Sequence, residues 1–195
     1  MKIKNILLAS MIVGSSLMAV SSAYAAPVGK TTPVMLDDDF EGGFNANFAN
    51  NFSSKDVGIS FIDKHTFTLT ANFDGSSSIT SSYLNSKTIK DLLITSFSLV
   101  KYDPVTDAVL HTYTGTNITD PLKTNPTDSW ELTASGLSAG SYFVEVGGQV
   151  VGNGGGSYAS TLNISAVPEP TTYGMMAAGL GLLGFVARRK KAKAA

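Results

Sequence analysis

Four carboxylates fall within five positions in the stretch LDDDFEGG, at Asp37, Asp38, Asp39 and Glu41. Oxygen-rich clusters of this kind suit calcium, a hard cation that takes about six to eight oxygen ligands. The spacing departs from the EF-hand loop, and adjacent aspartates cannot all face one ion. These four are the candidate calcium ligands, and calcium the one candidate cofactor, beside the plainer reading of a solvated acidic loop. GLSAG, from Gly136 to Gly140, matches the G-x-S-x-G of a nucleophile elbow, which needs a strand before the serine and a helix after it. Here the strand-like SYFVEV follows, and His65 and His111 are the only imidazoles that could serve as base. A tight turn is expected instead. Nothing in the spacing of the two histidines supplies the third ligand that a zinc site needs.

GLGLLG, from Gly179 to Gly184, matches a dinucleotide fingerprint but has no strand–turn–helix unit around it. Its glycines, with Ala177 and Gly181 as a small-residue pair, suit close packing of a membrane helix. Trp130, Tyr102, Tyr113, Tyr142 and Tyr158 could line a sugar-binding face, or serve as core and strand-surface aromatics. No catalytic residue emerges, and a protein without enzymatic activity is expected.

The elements that must position these residues are strands. HTFTLTANF puts Phe67, Leu69 and Ala71 on one face and threonines on the other, and LLITSFSLVKY, SYFVEVGGQVV and YASTLNIS repeat the alternation. Period-two patterning in β-branched and aromatic residues indicates half-buried antiparallel strands. Turn-forming FDGSSS, YDPVTD, TNPTDS, SGLSAGS and VGNGGGS separate them. The fold expected is all-β, an antiparallel, jelly-roll-like β-sandwich of about seven to nine strands over residues 57–166. Residues 26–56 read as an irregular segment. Phe40, Phe44, Phe48 and Phe52 recur every fourth position there, but Gly42, Gly43 and the asparagines disfavour a helix.

Two lysines, the apolar stretch Ile6 to Val20 and the small-residue site Ala23-Tyr24-Ala25 make residues 1–25 a secretory signal peptide. Export through the Sec machinery follows. Between Ala26 and Val167 seven Lys and no Arg face fourteen Asp and Glu, about seven net negative charges, whereas the basic residues gather at the two ends. Such a surface is a poor partner for nucleic acid. With no cysteine, stability rests on a packed core.

Residues 167–195 carry a Pro-Glu-Pro triplet at Pro168, Glu169 and Pro170, an uncharged run from Thr171 to Ala187, and then Arg188, Arg189, Lys190, Lys191 and Lys193. A helix over that run would be about 25 Å long at roughly 1.5 Å per residue, the short end of what spans a bilayer. The basic tail would hold its end in the cytoplasm and the domain outside. Triplet, glycine-rich helix and basic terminus together resemble the PEP-CTERM sorting signal of Gram-negative bacteria. The resemblance implies an exosortase substrate, anchored in the inner membrane, cleaved near the triplet, and then located at the cell surface or in a biofilm or exopolysaccharide matrix.

Within that class the body is similar to the FxDxF family, on Phe61, Asp63 and Phe67 of FIDKHTFTLT, although Phe67 comes later than the simple motif requires. GLSAGSYFVEVGGQ and GSYASTLNIS resemble the end of pre-peptidase C-terminal β-domains, which explains GLSAG as a structural turn.

Overall fold

Alternate residues are buried along Ser60–Leu69: Phe61, Asp63, His65, Phe67 and Leu69 point inward, while Ser60, Ile62 and Thr68 face solvent. A segment that hides every second side chain can do so only as a strand on a sheet with one covered face. The computed structural model describes residues 28–81, 90–120, 127–167 and 174–183. The expected signal peptide, the Pro-Glu-Pro triplet and the basic tail lie outside these. Among the described residues there are eleven strands: β1 Thr31–Pro33, β2 Asp37–Asp38, β3 Phe44–Phe52, β4 Ser60–Leu69, β5 Phe73–Ser81, β6 Leu92–Tyr102, β7 Val109–Thr114, β8 Thr116–Asn117, β9 Ser129–Leu137, β10 Gly140–Val150 and β11 Gly156–Ala166.

They form two sheets, in the orders β1-β4-β10-β6-β7 and β2-β3-β11-β5-β9-β8. Only the short β1–β4 pair is parallel; the other pairs are antiparallel. Both sheets feed one core, with Phe61, Leu99, Tyr142 and Val144 from the first meeting Phe48, Ile79, Tyr158 and Leu162 from the second. The molecule is therefore the sandwich that the alternation predicts. Most connections cross between sheets: β3 to β4, β4 to β5, β5 to β6, β9 to β10 and β10 to β11 all do so.

Two local departures have physical causes. Ile94 and Phe97 are both buried although three positions apart, because the register with β10 shifts between Gly147 and Gly148. A bulge there turns Thr95 and Ser96 outward and restores the inward phase. Gly148 is also a point of close approach: a Cβ would lie 2.6 Å from a Phe61 ring carbon. The ring occupies the space that any larger residue would need.

The segment expected to be irregular contains a full strand. β3 pairs with β11 from Gly156↔Phe52 to Ile164↔Phe44, so the sandwich begins well before residue 57. A spacing of four is common to a helix face and a strand face, and here Phe44, Phe48 and Phe52 share the inward face of β3. Phe40 lies beyond the strand and is 96 % exposed.

Candidate functional site

The inward face of a strand is normally apolar, yet β4 places Asp63 and His65 there, 2 % and 3 % exposed. Buried polar groups need partners, and β11 supplies one from the opposite sheet. The Tyr158 hydroxyl donates to Asp63 Oδ2 at 2.7 Å and lies 2.8 Å from His65 Nε2. Asn50 Nδ2 on β3 donates to the same carboxylate oxygen at 2.8 Å, and the Lys30 backbone N–H donates to Oδ1 at 3.1 Å. One carboxylate on β4 thus gathers donors from two other strands and the segment leading into β1.

The direction of this chain follows from its proton count. Tyr158 has a single hydroxyl proton, and a carboxylate can only accept. With that hydroxyl proton directed at Asp63, the His65–Tyr158 bond is made by the Nε2 proton, which leaves Nδ1 of the neutral imidazole as a bare lone pair. Nδ1 is buried and has no hydrogen-bond partner among the described residues. Burial holds the His65 imidazole below its usual range; the Asp63 charge opposes this and the Lys30 cation adds to it. Burial likewise pushes the Tyr158 hydroxyl well above its ordinary value, with the hydrogen bond to Asp63 and its charge acting in the same sense. Phe48 stacks on the imidazole with ring centroids 4.2 Å apart.

A cleft of about 410 Å³ opens beside this cluster, between the β1 edge and β3, and His65 and Phe48 form part of its wall. Lys30, Thr32 and Asp37 also line this cleft. Sequence reasoning singled out Asp63 and left His65 without a partner. The available signal was FIDKHTF itself, whose alternation puts Asp63 and His65 on one face with Phe61 and Phe67. Tyr158 stands 95 residues from Asp63 and could not be paired with it from spacing.

The other candidates sit elsewhere. Asp37 and Asp38 lie on exposed β2, where successive side chains face opposite ways. Asp38 Oδ1 accepts from the Phe40 N–H at 2.7 Å, and Asp39 Oδ1 from the N–H groups of Glu41 and Gly43, both at 2.8 Å. These carboxylates hold a turn in which Phe40 has φ 62°. Among the described residues no group of three or more metal-ligating side chains is placed to hold an ion. Ser138 of GLSAG lies between β9 and β10, its hydroxyl accepting from Lys101 Nζ at 2.7 Å. Gly136, with φ +68°, lies inside β9 beside a register shift against β5, and strand β10 follows where an elbow needs a helix.

Of the proposed sugar-stacking aromatics, Tyr142 and Tyr158 are buried in the core, 0 % and 1 % exposed. Tyr158 faces inward with alternate residues of β11, so it cannot be a surface platform. Trp130 is half-buried against the core.

Residues 166–191 match the family model for the PEP-CTERM protein-sorting motif. The chain carries a PEP-CTERM sorting signal. The matched span includes Pro168, Glu169, Pro170 and the basic residues Arg188 to Lys191, as well as the described helix 174–183. A PEP-CTERM signal implies export, membrane anchoring and processing by exosortase. No described helix is long and apolar enough to cross a membrane, and the remainder of the expected span, residues 171–173 and 184–187, lies outside the described residues.

Among curated proteins none matches this PEP-CTERM chain. Among solved structures it is similar to the pre-peptidase C-terminal domain of collagenase from Bacillus anthracis, at 13 % identity and a TM-score of 0.32, covering 71 % of this chain and 97 % of that one. It is similar also to Aeromonas hydrophila PliG, a periplasmic inhibitor of g-type lysozyme, at 14 % identity and a TM-score of 0.33, covering 72 % and 98 %. Infectious bursal disease virus VP2 follows at 10 % identity and a TM-score of 0.23, covering 64 % and 40 %.

Proposed function

We propose that this is an exported, non-catalytic protein whose sandwich exosortase releases from a temporary membrane tether to the cell surface or an exopolysaccharide-rich biofilm matrix. The sorting motif at residues 166–191 carries the reading. It begins where the last strand ends, since β11 runs to Ala166. A cut near the Pro-Glu-Pro triplet would therefore take nothing from the core. Prolines on both sides of Glu169 favour an extended backbone that cannot join a helix, the form a protease cleft accepts.

Helix 174–183 supports a lipid-facing tether. It contains no charged residue, and Met175 and Leu183 are 75 % and 69 % exposed, so it buries no stripe against the sandwich. A helix that is apolar all round belongs in a membrane or another protein's interior. The crossing of successive strands between sheets supports reading the sandwich as a jelly roll, a scaffold with few open edges for life outside the cell. The non-catalytic reading is supported by Ser138 lying between β9 and β10, with a strand after it where a nucleophile elbow needs a helix.

Mass spectrometry of the mature protein tests the reading. The expected C-terminus lies between Pro168 and Pro170 in cells with exosortase, and at Ala195, in membranes, in cells without it. An intact Ala195 in both strains would overturn it.

A further inference from the structure

We infer that the end of the sandwich from which the sorting segment leaves rests on the lipid bilayer, with Met35, Phe40 and Val105 entering the headgroup layer of a zwitterionic, ammonium-bearing membrane. The inference rests on the tether reading above and adds which face the tethered domain turns to the lipid. Strand pairing fixes what shares that end. β11 finishes at Ala166 opposite Phe73, where β5 begins, and Ile164 pairs with Phe44, where β3 begins. A Cβ on Gly42 would lie 3.6 Å from that of Ala166, so the turn bearing Phe40 adjoins the exit of the chain. In the other sheet Leu69, just before β5, pairs with Gly140, and Ser141 pairs with Tyr102, which brings the hairpin bearing Val105 to the same end. Met35 follows Val34, whose N–H bonds to Thr66 near the end of β4.

Met35, Phe40 and Val105 are 84 %, 96 % and 90 % exposed, and every large apolar side chain described at the opposite end is less so. Single exposed apolar residues are ordinary; the shared end distinguishes these. Two of them stand on fixed backbone: Asp38 Oδ1 accepts from the Phe40 N–H at 2.7 Å, and Asp103 Oδ1 accepts from the Val105 N–H at 2.8 Å. Seven residues, 167–173, separate Ala166 from helix 174–183, a reach of under about 30 Å even when fully extended. An eleven-residue strand such as β11 is longer, roughly 36 Å, so the tether holds this end of the sandwich toward the bilayer. β1 and β6, which lead to Met35 and Val105, are three ladder steps apart, roughly 14 Å. A flat apolar medium takes such spread groups together, whereas one protein pocket takes only one of them. Asp37, Asp38, Asp39, Glu41, Asp103 and Asp107 lie in or beside the same turns. They repel anionic lipid and complement the outer ammonium of an ethanolamine headgroup.

The test uses the uncleaved chain from cells without exosortase, reconstituted into vesicles of phosphatidylethanolamine and phosphatidylcholine. The chain has no cysteine, so Phe40→Cys, Val105→Cys and Val57→Cys each give one spin-labelling site, the last at the opposite end. On reconstitution the labels at 40 and 105 are expected to become at least about threefold less accessible to a water-soluble nickel chelate, and more accessible to oxygen, as groups lodged in the lipid interface do. The label at 57 should not change. Phe40→Ser with Val105→Ser, both at exposed positions, should leave the melting temperature unmoved and return a label at Met35→Cys to water. Vesicles of phosphatidylglycerol should shield the labels less. The inference is overturned if the integrated chain shows no shielding at 40 and 105, or equal shielding at 57. It also falls if shielding appears only when exosortase is added, or is lost on lowering the protein-to-lipid ratio, which would mean a protein partner or a second copy instead. Alkaline carbonate extraction reads the tether separately: a chain it removes from the vesicles overturns the tether reading and this inference together.

Discussion

Two apolar stretches of this chain meet opposite fates. In β6, Leu92, Ile94, Phe97 and Leu99 are at most 2 % exposed, whereas in helix 174–183 Met175, Leu180 and Leu183 are 75 %, 64 % and 69 % exposed. Hydrophobicity alone does not separate them. The β6 residues share a face with Thr95 and Ser96 turned away, and an opposing sheet exists to cover that face. The helical residues sit on a helix with no charged residue, and nothing among the described residues covers them. Pattern decides which residues the fold hides, and those it cannot hide are left for another medium.

The sharpest way to break the comparison is to separate the two regions by mutation. Replacing Pro168, Glu169 and Pro170 together by alanine is expected to abolish processing, so that the protein stays in membranes with Ala195 intact. The melting temperature of the sandwich should not move, because the triplet follows the last strand. A shifted melt would show that the tail contributes to the fold after all. Conversely, Phe61→Ala removes a ring that is 1 % exposed and packed against Phe52 and Tyr158. It should cost about 3–5 kcal/mol in denaturant unfolding.

A smaller effect tests the polar part of the core. Tyr158→Phe keeps the ring but deprives Asp63 of one donor and His65 of the one hydrogen-bond partner it has among the described residues, which should cost about 1–3 kcal/mol in denaturant unfolding. The smallest effect is a pH dependence. Unfolded His65 takes up its proton near 6.5, and the folded form does so only at lower pH. Between those values the unfolded state binds more protons, so the His65 contribution is complete above 6.5 and stability falls as pH drops below it. Melting temperatures from about pH 7 down to about pH 5 should fall less steeply in His65→Gln than in the parent. Identical slopes would remove His65 as the source.

Much of the sandwich was legible because a two-residue period survives in the sequence wherever one sheet face is covered. FIDKHTFTL shows it plainly, and β4 has the expected inward face. β3 was harder, since a four-residue spacing of phenylalanines suits either periodicity and asparagine disfavours both. Its identity as a strand is settled by pairing with β11, more than a hundred positions away. The buried cluster failed for the same reason. Asp63 and His65 were readable as neighbours, but Asn50 and Tyr158 reach them only through tertiary contact. The acidic run at Asp37 to Glu41 left two readings open, because carboxylates that cap a turn have the same composition as carboxylates that hold an ion. The tail was the most legible part, because its meaning lies in the order of three blocks and needs no fold to assemble it.

The last strand occupies an interior place. β11 sits between β3 and β5 in its sheet, and its end at Ala166 is two residues from the first proline of the sorting triplet. A protein held by this end and pulled by its surroundings would feel the force along the axis of β11. Both ladders of hydrogen bonds would then be loaded together in shear rather than opened one rung at a time. The mechanical attachment point is thus on a strand braced from both sides, and the fold is placed to bear tension at the site where it is tethered.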